Sequence, residues 1–198
     1  MNIFEKQKLD FGNFKLIAGV DEAGRGPLAG PLVVSSVILK QDSYHEILND
    51  SKKLTEKKRE ILYEWVITNA VDFFIKVISV EDIDRMNILQ ATLYGMKICV
   101  ESLKIKPDIA LIDGNKTPVA MTIPCQSIVK GDSLYSAISA ASILSKVTRD
   151  QIMFELDRKY PQYAFKQHKG YPTQKHIELV LKYGMCPEHR KTYSIKNK

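Results

Sequence analysis

The sequence predicts an α/β fold, a mixed β-sheet flanked by helices with a small basic helical extension at the C-terminus. Three observations carry that reading. Two β-branched runs follow one another across a Gly/Pro-rich turn, helix and strand signals then alternate to residue 159, and the net positive charge is confined to the last quarter of the chain.

Lys15 to Val20 and Pro31 to Leu39 read as neighbouring strands, joined by a turn that holds Gly24, Gly26, Pro27 and Gly30. Thr55 to Asn69 opens on a cap-like Thr and repeats apolar residues at Ile61, Leu62, Trp65 and Val66, which is a helical face. Asp72 to Val80 is a third strand, Ile88 to Leu103 an amphipathic helix, Asp108 to Ile112 a strand ended by Asp-Gly-Asn, and Thr122 to Val129 a further strand. Ser133 to Lys159 is one long helix, small enough along Ala137 to Ser142 to lie close on a sheet and stopped by Pro161. Thr173 to Tyr183 is the last helix. Residues 1–160 are expected to form the main core and 161–198 a basic helical extension packed on it as one structural unit, with Tyr163 and Phe165 packing it onto the sheet and Trp65 in the core.

A chain of 198 residues, 44% apolar, buries enough surface to fold without a disulfide or structural metal. Cys99, Cys125 and Cys186 are odd in number and lack zinc-ribbon spacing, so free thiols in a reducing compartment are expected. No apolar run approaches the roughly 20 residues of a membrane span, and the start of the chain mixes charge signs without an apolar segment. A cytoplasmic protein with no membrane contact is the expectation. Overall there are 29 basic and 23 acidic side chains, yet residues 151–198 hold ten bases against four acids, interleaved with Tyr160, Tyr163, Phe165, Tyr171, Tyr183 and Tyr193. Such a surface suits phosphates and stacked bases or sugars, although a solvated helical face has a similar composition.

Asp21 and Glu22 follow the first strand, Asp113 ends the fourth, and Asp132 is expected to open the long helix, where the macrodipole favours an acid. Ligands of α/β sheets bind beyond the carboxyl ends of strands. Singly, each acid has a plainer reading as turn former, surface acid or cap. Gathered at one site they repel one another unless cations neutralise them, and an oxygen-only shell selects Mg²⁺ or Mn²⁺ over zinc. Two such ions, about 3.5–4 Å apart, suit in-line displacement at phosphorus. Gly24 to Ala29 fits the dinucleotide fingerprint only on paper, because the loop leads into a strand and not a helix. It is either a tight turn or a place where backbone groups approach a nucleic-acid strand, with Arg25 as a phosphate contact.

Asp21 to Pro31 (Asp-Glu-Ala-Gly-Arg-Gly-Pro-Leu-Ala-Gly-Pro) resembles the signature of the type 2 ribonucleases H, the ribonuclease HII family. Asp50 to Leu54, Met86 to Leu89, Ile112 to Asn115, Lys130 to Asp132, Ser139 to Asp150 and His168 to Thr173 resemble its other blocks in the same order, covering about residues 15 to 195. The resemblance implies a ribonuclease H-like core, cleavage of RNA in RNA–DNA hybrids, and incision 5′ of single ribonucleotides in duplex DNA, leaving 3′-hydroxyl and 5′-phosphate ends. It implies Asp21, Glu22, Asp113 and Asp132 as catalytic metal ligands for two Mg²⁺ or Mn²⁺ ions. Gly24, Arg25 and Gly26 would read the ribose 2′-hydroxyl, and Tyr171 would pack on the neighbouring deoxyribose. Lys52, Lys53, Lys146 and Arg149 would contact phosphates. The partners implied are a hybrid duplex or ribonucleotide-containing DNA, with no obligate protein partner. Asp150 rivals Asp132 as fourth carboxylate, and at a helix C-terminus it calls for a basic partner; His168 is expected in a surface loop. The alternatives are a junction resolvase-like nuclease of the same core and a hybrid-binding protein without cleavage.

Overall fold

A computed structural model describes residues 14–40 and 54–194. Strands β1 (Ile17–Ala23), β2 (Leu32–Leu39) and β3 (Ala70–Ile78) form an antiparallel meander, with helix α1 (Glu56–Asn69) between the second and third. Helices α2 (Val80–Met86) and α3 (Ile88–Glu101) lead to β4 (Ile109–Asp113) and β5 (Cys125–Ile128), then to α4 (Ser136–Lys159), the short α5 (Phe165–His168) and α6 (Gln174–Tyr183). The five strands lie in the order β3-β2-β1-β4-β5, with β1, β4 and β5 parallel. The expected mixed sheet flanked by helices is present.

Local chemistry sets the boundaries. Thr55 caps α1 by accepting from Lys58 N–H, and Thr173 caps α6 by accepting from His176 N–H. Asn87, at φ 65°, accepts from the N–H groups of Leu89 and Gln90, so it both ends α2 and opens α3. Helix α2 lies where the third strand was expected to end, and β3 runs earlier than expected, stopping at Ile78. Pro124 has no N–H for the ladder, so β5 begins at Cys125, not at Thr122. The expectation that Asp132 opens the long helix is corrected. Asp132 sits in a 3₁₀ turn, Gly131–Ser133, and α4 starts only at Ser136.

Helix α4 crosses one face of the sheet at contact distance. A Cβ on Gly19 would stand 2.1 Å from the Ala137 carbonyl carbon, and Ser35 Oγ donates to Ala141 C=O at 2.6 Å. Small residues at Gly19 and Ala137 therefore allow the approach that positions β1. Helix α3 covers the opposite face, where Ala18, Val20, Val34, Met96 and Cys99 share one apolar core. Tyr163 and Phe165 pack with Met153, Leu156 and Ala29, on the end of α4 and the glycine loop and not on the sheet as expected. Trp65 is half-buried against the apolar layer between α1 and α4. The three cysteines are free. Among the described residues no helix is long and apolar enough to cross a membrane.

Candidate active site

The site grows from one register. Val20 pairs with Ile112 across the parallel β1–β4 ladder, so Asp21 and Asp113, each the next residue, leave it side by side. Strand alternation places both on the α4 face, with Gly19 and Leu111. Strand β1 continues through Asp21 and Glu22 to Ala23, so these acids are held in the sheet and not in the turn that follows it. Asp21 Oδ1 accepts from Glu22 N–H at 2.7 Å, and Ser142 of α4 hydrogen-bonds the same carboxylate. Asp113 Oδ1 accepts from Gly131 N–H at 2.7 Å, which brings the turn carrying the buried Asp132 to the end of β4.

Burial, then the charges of Glu22 and Asp113, push the Asp21 carboxyl well above the usual carboxylate range. Burial also raises Glu22; Arg25 opposes the shift and Asp113 adds to it. Three acids thus act on one another in a poorly solvated place. Glu22 Oε2 is buried with no hydrogen-bond partner among the described residues, while Oε1 faces Arg25 Nη1 at 3.4 Å. Among the described residues no three acidic, His or Cys side chains are already gathered as a metal cage. A buried unpartnered carboxylate oxygen and an oxygen-only donor set fit a hard divalent cation.

A cleft of about 420 Å³ opens beside Glu22, lined by Gly24, Arg25, Gly26, Lys146 and Tyr171 of the expected set. A Cβ on Gly26 would lie 3.7 Å from Tyr171 Cε1, so loop and ring face each other across it. Asp113 lines a second cleft of about 210 Å³, and Arg25 borders both. Lys146 lies in the first cleft, its Nζ 2.7 Å from Asp150 Oδ1; Asp150 lies inside α4, nine residues before its end, and not at a helix C-terminus as expected. Lys52 and Lys53 lie outside the described residues.

Arg149 departs from its expected role. It is fully buried, and its guanidinium donates to the carbonyls of Ala29, Pro31 and Lys169, so no donor faces a phosphate. Arg190, unremarked in the sequence, is its counterpart. Also fully buried, it donates to the carbonyls of Gly24, Arg25, Gly30 and Pro31. Tyr193 OH adds a 2.6 Å bond to the Arg25 carbonyl. Gly24, at φ 104°, has room for no Cβ, which would stand 2.2 Å from Arg149 Nε. Two guanidiniums thus fix the loop by its carbonyls; burial and the Arg190 charge together bring Arg149 down to about 10.

Two further departures concern residues read differently from sequence. His168 is buried, not in a surface loop, its Nε2 2.9 Å from the Tyr163 carbonyl. Arg59, which the sequence reading did not single out, also lines the cleft beside Glu22; its place one turn into a Thr-capped helix was the available signal.

The family model described as Ribonuclease HII matches residues 18–196. The chain is 51% identical over 184 residues to the ribonuclease HII of Endomicrobium trichonymphae, covering 93% of this chain and 88% of that protein. It is 52% identical over 194 residues to that of Acetivibrio thermocellus, covering 98% and 75%. The crystal structure of the ribonuclease H2 from Pyrococcus horikoshii OT3 superposes with a TM-score of 0.77 at 30% identity, over 91% of this chain and 94% of that one.

Proposed function

The chain belongs to the ribonuclease HII family, a nuclease acting on RNA–DNA hybrids, and from that premise we propose that it also incises 5′ of single ribonucleotides in duplex DNA. The products are a 3′-hydroxyl and a 5′-phosphate. One observation supports the reading above the others. The β1–β4 register sets Asp21 beside Asp113, and Glu22, the residue after Asp21, lines a cleft that also has the Gly24–Gly26 loop and Tyr171 in its walls.

Asp21, Glu22, Asp113 and Asp132 would hold two Mg²⁺ or Mn²⁺ ions, whose chemistry when bound is activation of a water and stabilisation of the leaving 3′-oxygen. The remaining work belongs to side chains and backbone. Arg190 and Tyr193 hold the carbonyls of Gly24 and Arg25, so the loop keeps its shape before substrate arrives. A preset loop can test for the 2′-hydroxyl, the group that distinguishes RNA from DNA and that both donates and accepts. Tyr171, 44% exposed, offers a flat face to the sugar on the other side of the step. Lys146 and Arg59, which line the cleft, would contact phosphates entering it, a role that Lys52 and Lys53 share in this proposal. A cytoplasmic site of action completes it.

The test uses three duplexes with Mg²⁺ present: an RNA–DNA hybrid, DNA with one ribonucleotide, and all-DNA. The expected result is cleavage of the hybrid, one nick 5′ of the ribose, and no cutting of the all-DNA control. Equal cutting of the last two would remove the hydroxyl test from the account.

A further inference from the structure

Three imidazoles lie together behind the cleft, and the hydrogen bonds around them admit one proton arrangement. Backbone N–H groups can only donate. Cys186 N–H points at His189 Nδ1 at 3.0 Å, so that nitrogen carries no proton and His189 Nε2 must be the N–H. Its partner is His176 Nε2 at 3.1 Å, which therefore accepts. His176 Nδ1 is then the N–H, and it faces the Tyr171 carbonyl at 2.9 Å. The same logic applies to His168, where Gly170 N–H donates to Nδ1 at 3.2 Å and Nε2 faces the Tyr163 carbonyl. His168 and His176 stack with centroids 4.2 Å apart.

This relay joins the pieces that form the cleft. His189 bridges Ala29 as an isolated antiparallel pair, Arg190 N–H donates to the Leu28 carbonyl, and Leu28 N–H donates to the Gly170 carbonyl. The glycine loop, the Tyr171 segment and residues 186–190 are thereby one hydrogen-bonded unit. We propose that His176 is a positioning residue for Tyr171: by donating to the Tyr171 carbonyl while accepting from His189, it fixes the ring opposite Gly26 and sets the affinity for the RNA-to-DNA step. The inference rests on the role given to Tyr171 under the proposed function. Burial, the leading cause, pushes His176 down to about 4 and lowers His168 and His189, which keeps the relay uncharged near neutrality. Protonation of either member of the His176–His189 pair would set two N–H groups against each other.

The experiment is a double-mutant cycle on the one-ribonucleotide duplex. His176→Phe is expected to raise KM about tenfold, the effect falling on KM more than on kcat, as loss of a buried hydrogen-bond pair predicts. His176→Asn, which keeps a donor near the Nδ1 position, recovers most of it. In a Tyr171→Ala background, His176→Phe adds nothing. If Tyr171→Ala raises KM and His176→Phe multiplies that rise, the inference falls and the role of Tyr171 stands. If Tyr171→Ala leaves KM unchanged, that role falls and takes the inference with it. Should His176→Phe fail to fold, nitrogen NMR of the wild-type protein decides the matter. His176 as the Nδ1–H tautomer with His189 as Nε2–H is expected, and His176 as the Nε2–H tautomer or as imidazolium overturns the relay.

Discussion

Replacing Arg190 by Ala removes a fully buried guanidinium that bonds four backbone carbonyls. Its two shortest bonds, to Gly24 at 2.6 Å and Gly30 at 2.8 Å, are charge-assisted and out of solvent. At about 1.5–3 kcal/mol each they contribute about 3–6 kcal/mol. Contacts at 3.1–3.2 Å to Arg25, Gly30 and Pro31 add less, because water entering the vacated space can replace them. Relief of the repulsion with Arg149 works the other way, since the Arg190 charge is one cause of the lowered Arg149 pKa. The net expectation is a loss of about 4 kcal/mol, a large share of the 5–15 kcal/mol typical of a whole domain. In a chain of this size that lowers Tm by roughly 8–16 °C. Urea unfolding followed by circular dichroism measures it, with an unchanged m-value showing that the unfolded state is the same. Arg190→Lys should recover only a minor part, because an ammonium lacks the planar fork that reaches carbonyls on two sides. A loss below about 1 kcal/mol for Arg190→Ala would refute the reasoning that guanidinium bonds hold the loop.

Gly19→Ala should cost more than about 3 kcal/mol, since its Cβ meets main-chain atoms of α4 and cannot be accommodated by a rotamer change; a Tm within 2–3 °C of wild type, roughly the scale of 1 kcal/mol, would contradict the close crossing. Asp113→Asn should retain hybrid binding by gel shift while Mg²⁺-dependent turnover falls by several orders of magnitude, and unchanged turnover would remove Asp113 from the mechanism. The histidine cluster predicts a pH dependence of defined sign. Its folded pKa values lie below the ordinary one, so the stabilisation is complete above about pH 6.5 and is lost as the pH falls toward about 4, where folded His176 titrates. The loss should approach about 3 kcal/mol. It is read as the difference between wild type and His176→Phe, in which the oppositely acting carboxylates cancel; equal pH profiles would contradict it.

The parts of the fold with a local signature could be read from the chain. Thr55 and Thr173 cap their helices, Pro161 follows α4, and the Ala/Ser run of α4 meets Gly19 at contact distance. Each carboxylate alone has a plainer reading, and it is their joint placement at strand ends, with the resemblance of the surrounding motifs, that singles them out. What the sequence concealed is non-local. Arg190 lies 160 residues from Gly30, and no spacing rule links a C-terminal Arg to a glycine-loop carbonyl. Arg149 shows the reverse error: the resemblance implies a phosphate contact, and only burial reveals that carbonyls occupy its donors. His168 was hidden by its neighbours Lys169 and Gly170, which imply solvent, whereas its ring turns inward to stack on His176. Helix α2 is only 7 residues long, too short for a period, although Asp84 within it anchors the Lys191 and Thr192 amides.

The account turns on acids from two parallel strands sharing cations. Titration calorimetry with Mn²⁺, on wild type, Asp21→Asn, Asp113→Asn and the double variant at one pH, addresses it without reference to turnover. The two substitutions are expected to weaken the same binding event, each by at least tenfold, and jointly by less than the product of their separate effects. Wild-type affinity in either variant, or fully multiplicative losses, would mean that the carboxylates do not share an ion.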